Sequence, residues 1–519
     1  MVSPAGLAAL MIFTRRSLIG SGLAAAGALT LPGIGDPARA RPRQGGSIRV
    51  AMQSSSTADT LDPAKGAMAT DYVRHFCLYS GLTRMEADLR PRPFLAQSIA
   101  SADRITWNIA LRRGVRFSDG RELTSADVVH SLRRHLDPKL GSKVASIAKQ
   151  FAEVRADGRH GLVIRLTGAN ADLPAILSQS HFLIVPADEE KPTGNGSGPF
   201  RLADFRPGVR TVVTRNPEYW RDGEPYLDRI EIIAIPDEIG RVNALLAGDV
   251  QLIIAVQPLS TRRIERSSQH GILTTPSPLY TDLIMRQDQL PTGNADFVAA
   301  VKHLIDRPLI KRALFRGYAT IGNDQPIPPF HPYYNPAVPQ TVLDLDRAKW
   351  HVARSGLKGV RLPIYCSPAA AGSVDMASVL QEYGAQAGLE FAVNRMPADG
   401  YWSTHWMKHP MSFGNTNPRP TADLVFSQFF RSDAEWNESG WKNPRFDMLL
   451  TEARAEADEA RRKELYGEMQ QLVHDHCGVA IPVFINMLDG HDRRLKGMTA
   501  IPLGGLMGYR FAEYAWWDA

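Results

Sequence analysis

The stretch "LRRGVRFSDGRELTSADVVHSL", residues 111 to 132, sets arginines, serines, two aspartates and a histidine close together. Leu111 to Phe117 reads as strand, Asp119-Gly120 as a turn dipeptide, and Thr124 stands where a helix N-cap belongs, with Asp127 three residues on. Every polar group then has a local task. Asp119 and Gly120 supply the turn, Thr124 accepts a free amide of the first helical turn, and Asp127 lies near the positive end of the helix dipole. The span is scaffold rather than active site: a strand, a turn and a capped helix in an α/β context.

Outward from this span, the chain of 519 residues is too long for one ordinary core and calls for two large lobes or several domains. At 44% hydrophobic and 22% charged it is globular in composition, without a Gly/Ser, Pro or acidic tract and without an internal repeat. The first forty residues stand apart. Arg15 and Arg16 in "TRRSLIG" precede an uncharged stretch from Ser17 to Gly35, and Ala38-Arg39-Ala40 has the small-x-small form of a signal peptidase site. Residues 1–40 therefore read as a twin-arginine signal peptide, with Met11 an alternative start. The apolar part is short for a bilayer span, and no cysteine follows it closely, so neither a retained membrane helix nor a lipid anchor is expected. Removing three arginines and one aspartate takes the net charge from +6 to +4, and no basic stripe of the nucleic-acid-binding kind is present. Cys77, Cys366 and Cys477 are odd in number and widely spaced, so at least one thiol stays free.

Strands and helices mix throughout. "GGSIRVAMQ" reads as a strand, "DYVRHFCLYSGLTRM" as a helix, "ADGRHGLVIRL" as a hairpin, and "EIGRVNALLAGDVQLII" as a helix followed by a strand. A polar Pro/Gly stretch, "RQDQLPTGNAD", near residue 290 suggests a lobe boundary, and "FVAAVKHLIDRPLIKRALF" after it reads as a helix. Beyond these, "VRLPIYCS", "SVDMASVLQEYGAQAG" and "LEFAVNRM" form a β-α-β alternation, and "ARRKELYGEMQQLVHDHCG" an amphipathic helix.

Few motifs suggest chemistry. "GNGSGPF", 194 to 200, lacks the Lys-Ser/Thr pair of a phosphate loop. "HDHC", 474 to 477, spaces its histidines on different helix sides, and His405 and His409 lack a visible third ligand. No HExxH, G-x-S-x-G or Cys-His signature appears, so neither catalysis nor a cofactor is expected. The most suggestive stretch is "MSFGNTNPRPTADLVFSQFF", 411 to 430. There an irregular loop feeds a helix capped by Thr421; Arg419 can bind a ligand carboxylate and Asp423 either a ligand amine or only the helix dipole. Trp402, Trp406 and Phe413 are candidate apolar walls.

The opening span resembles the stretch that extracellular solute-binding proteins of the peptide- and nickel-binding family (family 5) carry in their first lobe. "TLDPA", "YSGLTR", "GSGPFRL", "RNPEYWRDGEPYLDRI", "ALLAGDV", "LIDRPLI" and "NPRFDMLLTEARAEADEARRKELYGEMQQLV" follow in the family's order. The resemblance implies a two-lobe periplasmic binding protein fold, a hinge between lobes, and a monomeric receptor that delivers solute to the permease and ATPase of an ABC importer. It implies lobe I over 41–288, lobe II over 289–488 and a C-terminal return to lobe I over 489–519. The implied ligand is a peptide or peptide-like solute, a nickel or metal-chelate or opine-like solute being the alternative and a secreted hydrolase a more distant one. Where dipeptide-binding members hold the ligand amine with an Asp, this chain offers Asn415 and Asn417. The ligand-binding candidates are thus Arg419, Asp423, Asn415, Asn417, Trp402 and Phe413.

Overall fold

In a computed structural model, residues 42–518 are described; the signal-peptide expectations, Arg15 and Arg16 included, lie outside them. The opening span forms a shorter strand than its sequence suggests. Thr106–Leu111 is the strand, and Gly114, at φ +75°, turns the chain before Phe117. Gly120, at φ +91°, makes the tight turn that Asp119-Gly120 calls for. Helix Ser125–Arg133 then starts at Thr124, and Asp127 reaches back so that its carboxylate accepts the Thr124 amide at 2.8 Å. That carboxylate also accepts from the Ala187 amide at 3.0 Å and from Arg121 at 2.8 Å, so Asp127 is a structural node.

Two seven-stranded sheets organise the molecule. The first runs, in spatial order, His270–Thr275, Met487–Asp492, Leu252–Ile253, Ser47–Met52, Arg229–Ala234, Arg210–Arg215 and Phe200–Arg206. Ser47–Met52 lies parallel to both Arg229–Ala234 and Leu252–Ile253, the latter two joined through helix Glu238–Ala247. The second sheet orders Ala319–Ile321, Val483–Ile485, Tyr280–Met285, Met411–Thr416, Arg361–Cys366 and Glu390–Arg395, with Val479–Ala480 paired beside Tyr280–Met285. Here Arg361–Cys366 and Glu390–Arg395 are parallel, linked by helix Ser373–Ala387, which ends at Gly388 with φ +89°. A four-stranded antiparallel sheet that includes Thr106–Leu111 and the hairpin of Phe151–Ala156 and Gly161–Leu166 attaches to the first body.

Each body has its own core. Ile48, Val50, Val213, Ile230 and Leu252 pack with Leu506, Met507 and Phe511 from the chain's last segment, so the C-terminus completes the first body. Leu283, Phe297, Leu362, Ile364, Phe391 and Phe413 build the second, next to a helical layer around Phe426, Phe446, Leu465 and Met469. Cys77, Cys366 and Cys477 are all free and buried.

The chain passes from first sheet to second between Thr275 and Tyr280 and returns through Asn486. A division by sheet therefore falls at 276–279, not at 288/289, and at 486, slightly ahead of 488/489. The polar stretch near 290 marks instead the turn from strand Tyr280–Met285 into helix Ala295–His303, within the second body. The crossings are close-set. Thr275 is the cross-strand partner of Met487, and Tyr280 that of Phe484.

Candidate functional site

A cavity of about 530 Å³ lies between the two bodies. The first body supplies Gln53 and Ser54 at the end of strand Ser47–Met52, Tyr72 and Phe76 on helix Ala69–Leu78, His181, and Tyr509 with Arg510; the second supplies Asn417 to Pro420. Its size and its mix of aromatic walls with a few polar groups suit a small solute. A second chamber of about 350 Å³ meets it at Pro420 and is lined by Trp107 and Asp172 from one body and Tyr333 and Arg462 from the other. Ion pairs cross between the bodies here: Arg462 with Asp172 at 2.7 Å, both 8% exposed, and Arg90 with Glu459 at 2.6 Å on the surface.

Two unusual local structures set the walls. Helix Ala69–Leu78 carries buried Asp71, whose carboxylate accepts the amides of Thr60 and Ala67 and pairs with Arg74 at 2.7 Å, fixing the turn from which Tyr72 projects. At the other wall Leu506, Met507 and Tyr509 all have positive φ, 52°, 61° and 68°, a conformation that costs non-glycine residues on the order of 1–2 kcal/mol each. Buried Asp489 holds this run by accepting the Leu506 amide at 2.5 Å, and burial raises its carboxyl to about 7. Tyr509 thereby stands 5.4 Å from Tyr72, ring to ring, and Tyr72 stands 5.5 Å from His181. Burial pushes the His181 imidazole below its ordinary value, so it stays neutral at neutral pH.

Arg419 lines this cavity. Its Nε donates to Gln428 Oε1 at 2.5 Å and its Nη1 to the Asn417 carbonyl at 3.0 Å, and the guanidinium lies 5.3 Å from the Phe429 ring centre. No carboxylate pairs with it among the described residues, and burial lowers its pKa because nothing anionic offsets the lost hydration. Asn417 also reaches the cavity.

The other four candidates lie elsewhere. Asp423 is buried and gripped by Arg454, Nε to Oδ1 at 3.0 Å and Nη2 to Oδ2 at 3.2 Å, so its role is an internal ion pair rather than an amine site. Phe413 is 2% exposed inside the second core because its strand turns that face inward. Asn415 sits in strand Met411–Thr416, with its amide donating to Tyr280 O and Thr281 Oγ1. Trp402 is 41% exposed and packs edge-on against Tyr401 and Trp406, outside the cavity lining. Thr421 does cap helix Ala422–Phe429, accepting the Leu424 amide at 3.2 Å.

The remaining motifs are structural. Gly196 and Gly198 press against the backbone of Leu78 and Tyr79, where a Cβ would collide. The rings of His405 and His409 share a 3.0 Å N···N contact, with Tyr365 stacked on His409, and among the described residues no three His, Cys, Asp or Glu groups could hold a metal ion. Sequence reasoning missed Tyr72, His181, Tyr509 and Arg510. The glycine-rich "LGGLMGYR" was the available signal for Tyr509 and Arg510, since clustered glycines announce an irregular backbone.

Comparison with known proteins bears on the fold and the family. The glutathione-binding protein GsiB of Escherichia coli (strain K12) is 24% identical over 478 residues, covering 88% of this chain and 92% of that protein. Among solved structures, AgaA from A. tumefaciens R10 in complex with agropinic acid aligns at TM-score 0.73 and 21% identity, covering 91% of this chain and 99% of that one. The periplasmic binding protein DppA from Helicobacter pylori in complex with the peptide STSA aligns at TM-score 0.74 and 20% identity, covering 92% and 99%. These likenesses give the two-lobe binding-protein fold. The model of the bacterial extracellular solute-binding proteins, family 5 Middle, matches residues 90–438, and with two thirds of its length so matched the chain belongs to that family of solute-binding proteins.

Proposed function

We propose that this solute-binding protein captures a peptide or peptide-like solute in the 530 Å³ cavity and delivers it to the permease and ATPase of an ABC importer, without catalysing a reaction on it. The lobes of this mechanism are the two sheet-centred bodies, and closure moves them about the crossings at 276–279 and 486. The observation that carries the reading is Arg419, a half-buried guanidinium that lines the cavity from one body without a carboxylate partner among the described residues. A ligand carboxylate completes it. Native mass spectrometry of protein purified from its own compartment identifies the solute, and calorimetry with that solute tests the site. Arg419→Ala should lower affinity by roughly 2–5 kcal/mol, the range for removing one member of a buried charged pair. An unchanged affinity in a folded variant would place the binding groups elsewhere. A nickel-chelate or opine-like solute is the alternative occupant of the same cavity, and retained metal in native protein would select the former.

Export belongs to the same proposal. The mature protein works as a periplasmic monomer without a lipid anchor, and Arg15 and Arg16 form the twin-arginine address. Replacing both with Lys should leave precursor in the cytoplasm, read by fractionation and immunoblot; a normal periplasmic yield would remove the assignment.

No helix among the described residues is long and apolar enough to cross a membrane.

A further inference from the structure

Accepting the cavity between the bodies as the solute site, we infer that it selects a dianionic solute, with one carboxylate met by Arg419 and a second by Arg510, and with no counter-charge provided for an ammonium group. The two arginines come from opposite bodies. Arg419 leads into the helical layer of the second, and Arg510 belongs to the C-terminal segment that completes the first.

Both guanidiniums are held yet incompletely used. Arg419 spends Nε on Gln428 and Nη1 on the carbonyls of Asn417 and Pro418, which leaves Nη2. Arg510 is 4% exposed; its Nη2 donates to the Met85 carbonyl, and its Nη1 is buried without a hydrogen-bond partner among the described residues. Neither makes an ion pair with a described residue. A buried guanidinium such as that of Arg510, or a half-buried one such as that of Arg419, is costly without a counter-ion, and two like charges lining one cavity repel each other. A carboxylate placed at each gains charge-assisted hydrogen bonds while relieving that cost.

Among the described residues, the cavity lining contains no Asp and no Glu. Carboxylates in the segments next to the lining residues are already engaged: Asp71 with Arg74 and three backbone amides, Asp489 with the Leu506 amide, Asp423 with Arg454. In the adjoining chamber Asp172 is paired with Arg462 and Glu459 with Arg90, while Glu456 accepts only the Asp458 amide among the described residues. His181 is kept neutral by burial, so it adds no charge. An ammonium group entering the larger cavity would meet two guanidiniums and no anion. The same cavity is lined by the rings of Tyr72, Tyr509 and His181, surfaces suited to the flat amides and short alkyl links of a peptide-like spacer.

Three probes separate the possibilities by calorimetry: N-acetyl-Ala-Glu, with two carboxylates and no ammonium; Ala-Glu, which adds the ammonium; and N-acetyl-Ala-Gln amide, which has neither charge. The diacid is expected to bind, the neutral amide about a hundredfold or more weaker, and Ala-Glu no tighter than the diacid. Arg419→Gln and Arg510→Gln should each weaken the diacid by about thirtyfold or more. Against N-acetyl-Ala-Gln, which keeps one carboxylate, one of the two variants should fall silent. Arg510→Lys, retaining charge, should recover part of the affinity, and its melting profile separates a binding defect from a folding defect. Binding of Ala-Glu about thirtyfold tighter than the acetylated diacid, or equal binding of the neutral amide, would overturn the dianion inference while leaving the cavity as the solute site. Binding of the native solute unaffected by any cavity variant would overturn the site itself.

Discussion

Asp423 shows how a residue's neighbours in space outrank its neighbours in sequence. In "PRPTAD" it follows the cap Thr421 into the first helical turn, where a carboxylate is expected to serve the dipole or a ligand. The structure instead commits both its oxygens to Arg454, 31 residues on. Asp423→Asn should therefore cost stability rather than affinity: on the order of 2–4 kcal/mol, toward the low side for a broken buried pair because Arg454 is 31% exposed. Urea unfolding reads the loss, and calorimetry with the native solute should show affinity within about twofold of wild type; a large affinity loss at unchanged stability would return Asp423 to the site. Arg419 lines the cavity, in keeping with the expectation that a lone guanidinium beside an irregular loop invites an anion, and its role there is the proposal made above. Asp423 was not legible, since no local pattern distinguishes a dipole partner, a ligand partner and half of a distant ion pair.

Elements read from periodicity and caps fared better than single side chains. The β-α-β unit 361–395 has its strands parallel and its helix stopped at Gly388, because alternation and a C-cap glycine are local signals. The helix foreseen from 297 to 315 divides: Ala295–His303 ends, Asp306 caps a new start by accepting the Leu309 amide at 2.8 Å, and Pro308 follows in its first turn. The left-handed run at 506–509 was legible only as irregular backbone in its clustered glycines, as its support, Asp489, lies on a strand of the first sheet. That support titrates. With its folded carboxyl raised by burial to about 7 from the usual 3.8, Asp489 keeps a proton that the unfolded chain loses, so its contribution falls as pH rises from about 4 to 7 and levels off above. The slope approaches about 1.4 kcal/mol per pH unit at most. Buried His75 and His135 and half-buried His331, lowered to about 4 by loss of hydration, act oppositely, adding stability as pH rises from about 4 to 6.5. A difference measurement cancels them. Asp489→Asn should gain on wild type steadily from about pH 4 to 7 in thermal unfolding, then hold a constant offset; a pH-independent difference would show that Asp489 is not the titrating group.

At the scale of the molecule, the chain crosses between the sheets at Pro276–Leu279, about ten residues ahead of the polar stretch near 290 that stands out in the sequence, because Pro276–Leu279 is too short to disturb composition whereas the Pro/Gly turn inside the second body disturbs it strongly. The paired crossings have a further meaning. Since Thr275 and Met487 already face each other across an antiparallel ladder, everything between them is a guest chain seated in the tip of a host hairpin. A two-residue Asn-Gly link can close such a tip. A chain shortened by 276–486 should still fold cooperatively as the host alone, seen as a single unfolding transition with β-rich circular dichroism, and should bind no solute, Arg419 having gone with the guest. The host already contains both termini of the described chain and loses only the contacts that cross to the guest, such as Asp172 with Arg462. A two-jawed receptor built this way can exchange one jaw for another without rethreading the rest, so ligand range is free to change by replacing a single continuous stretch of chain.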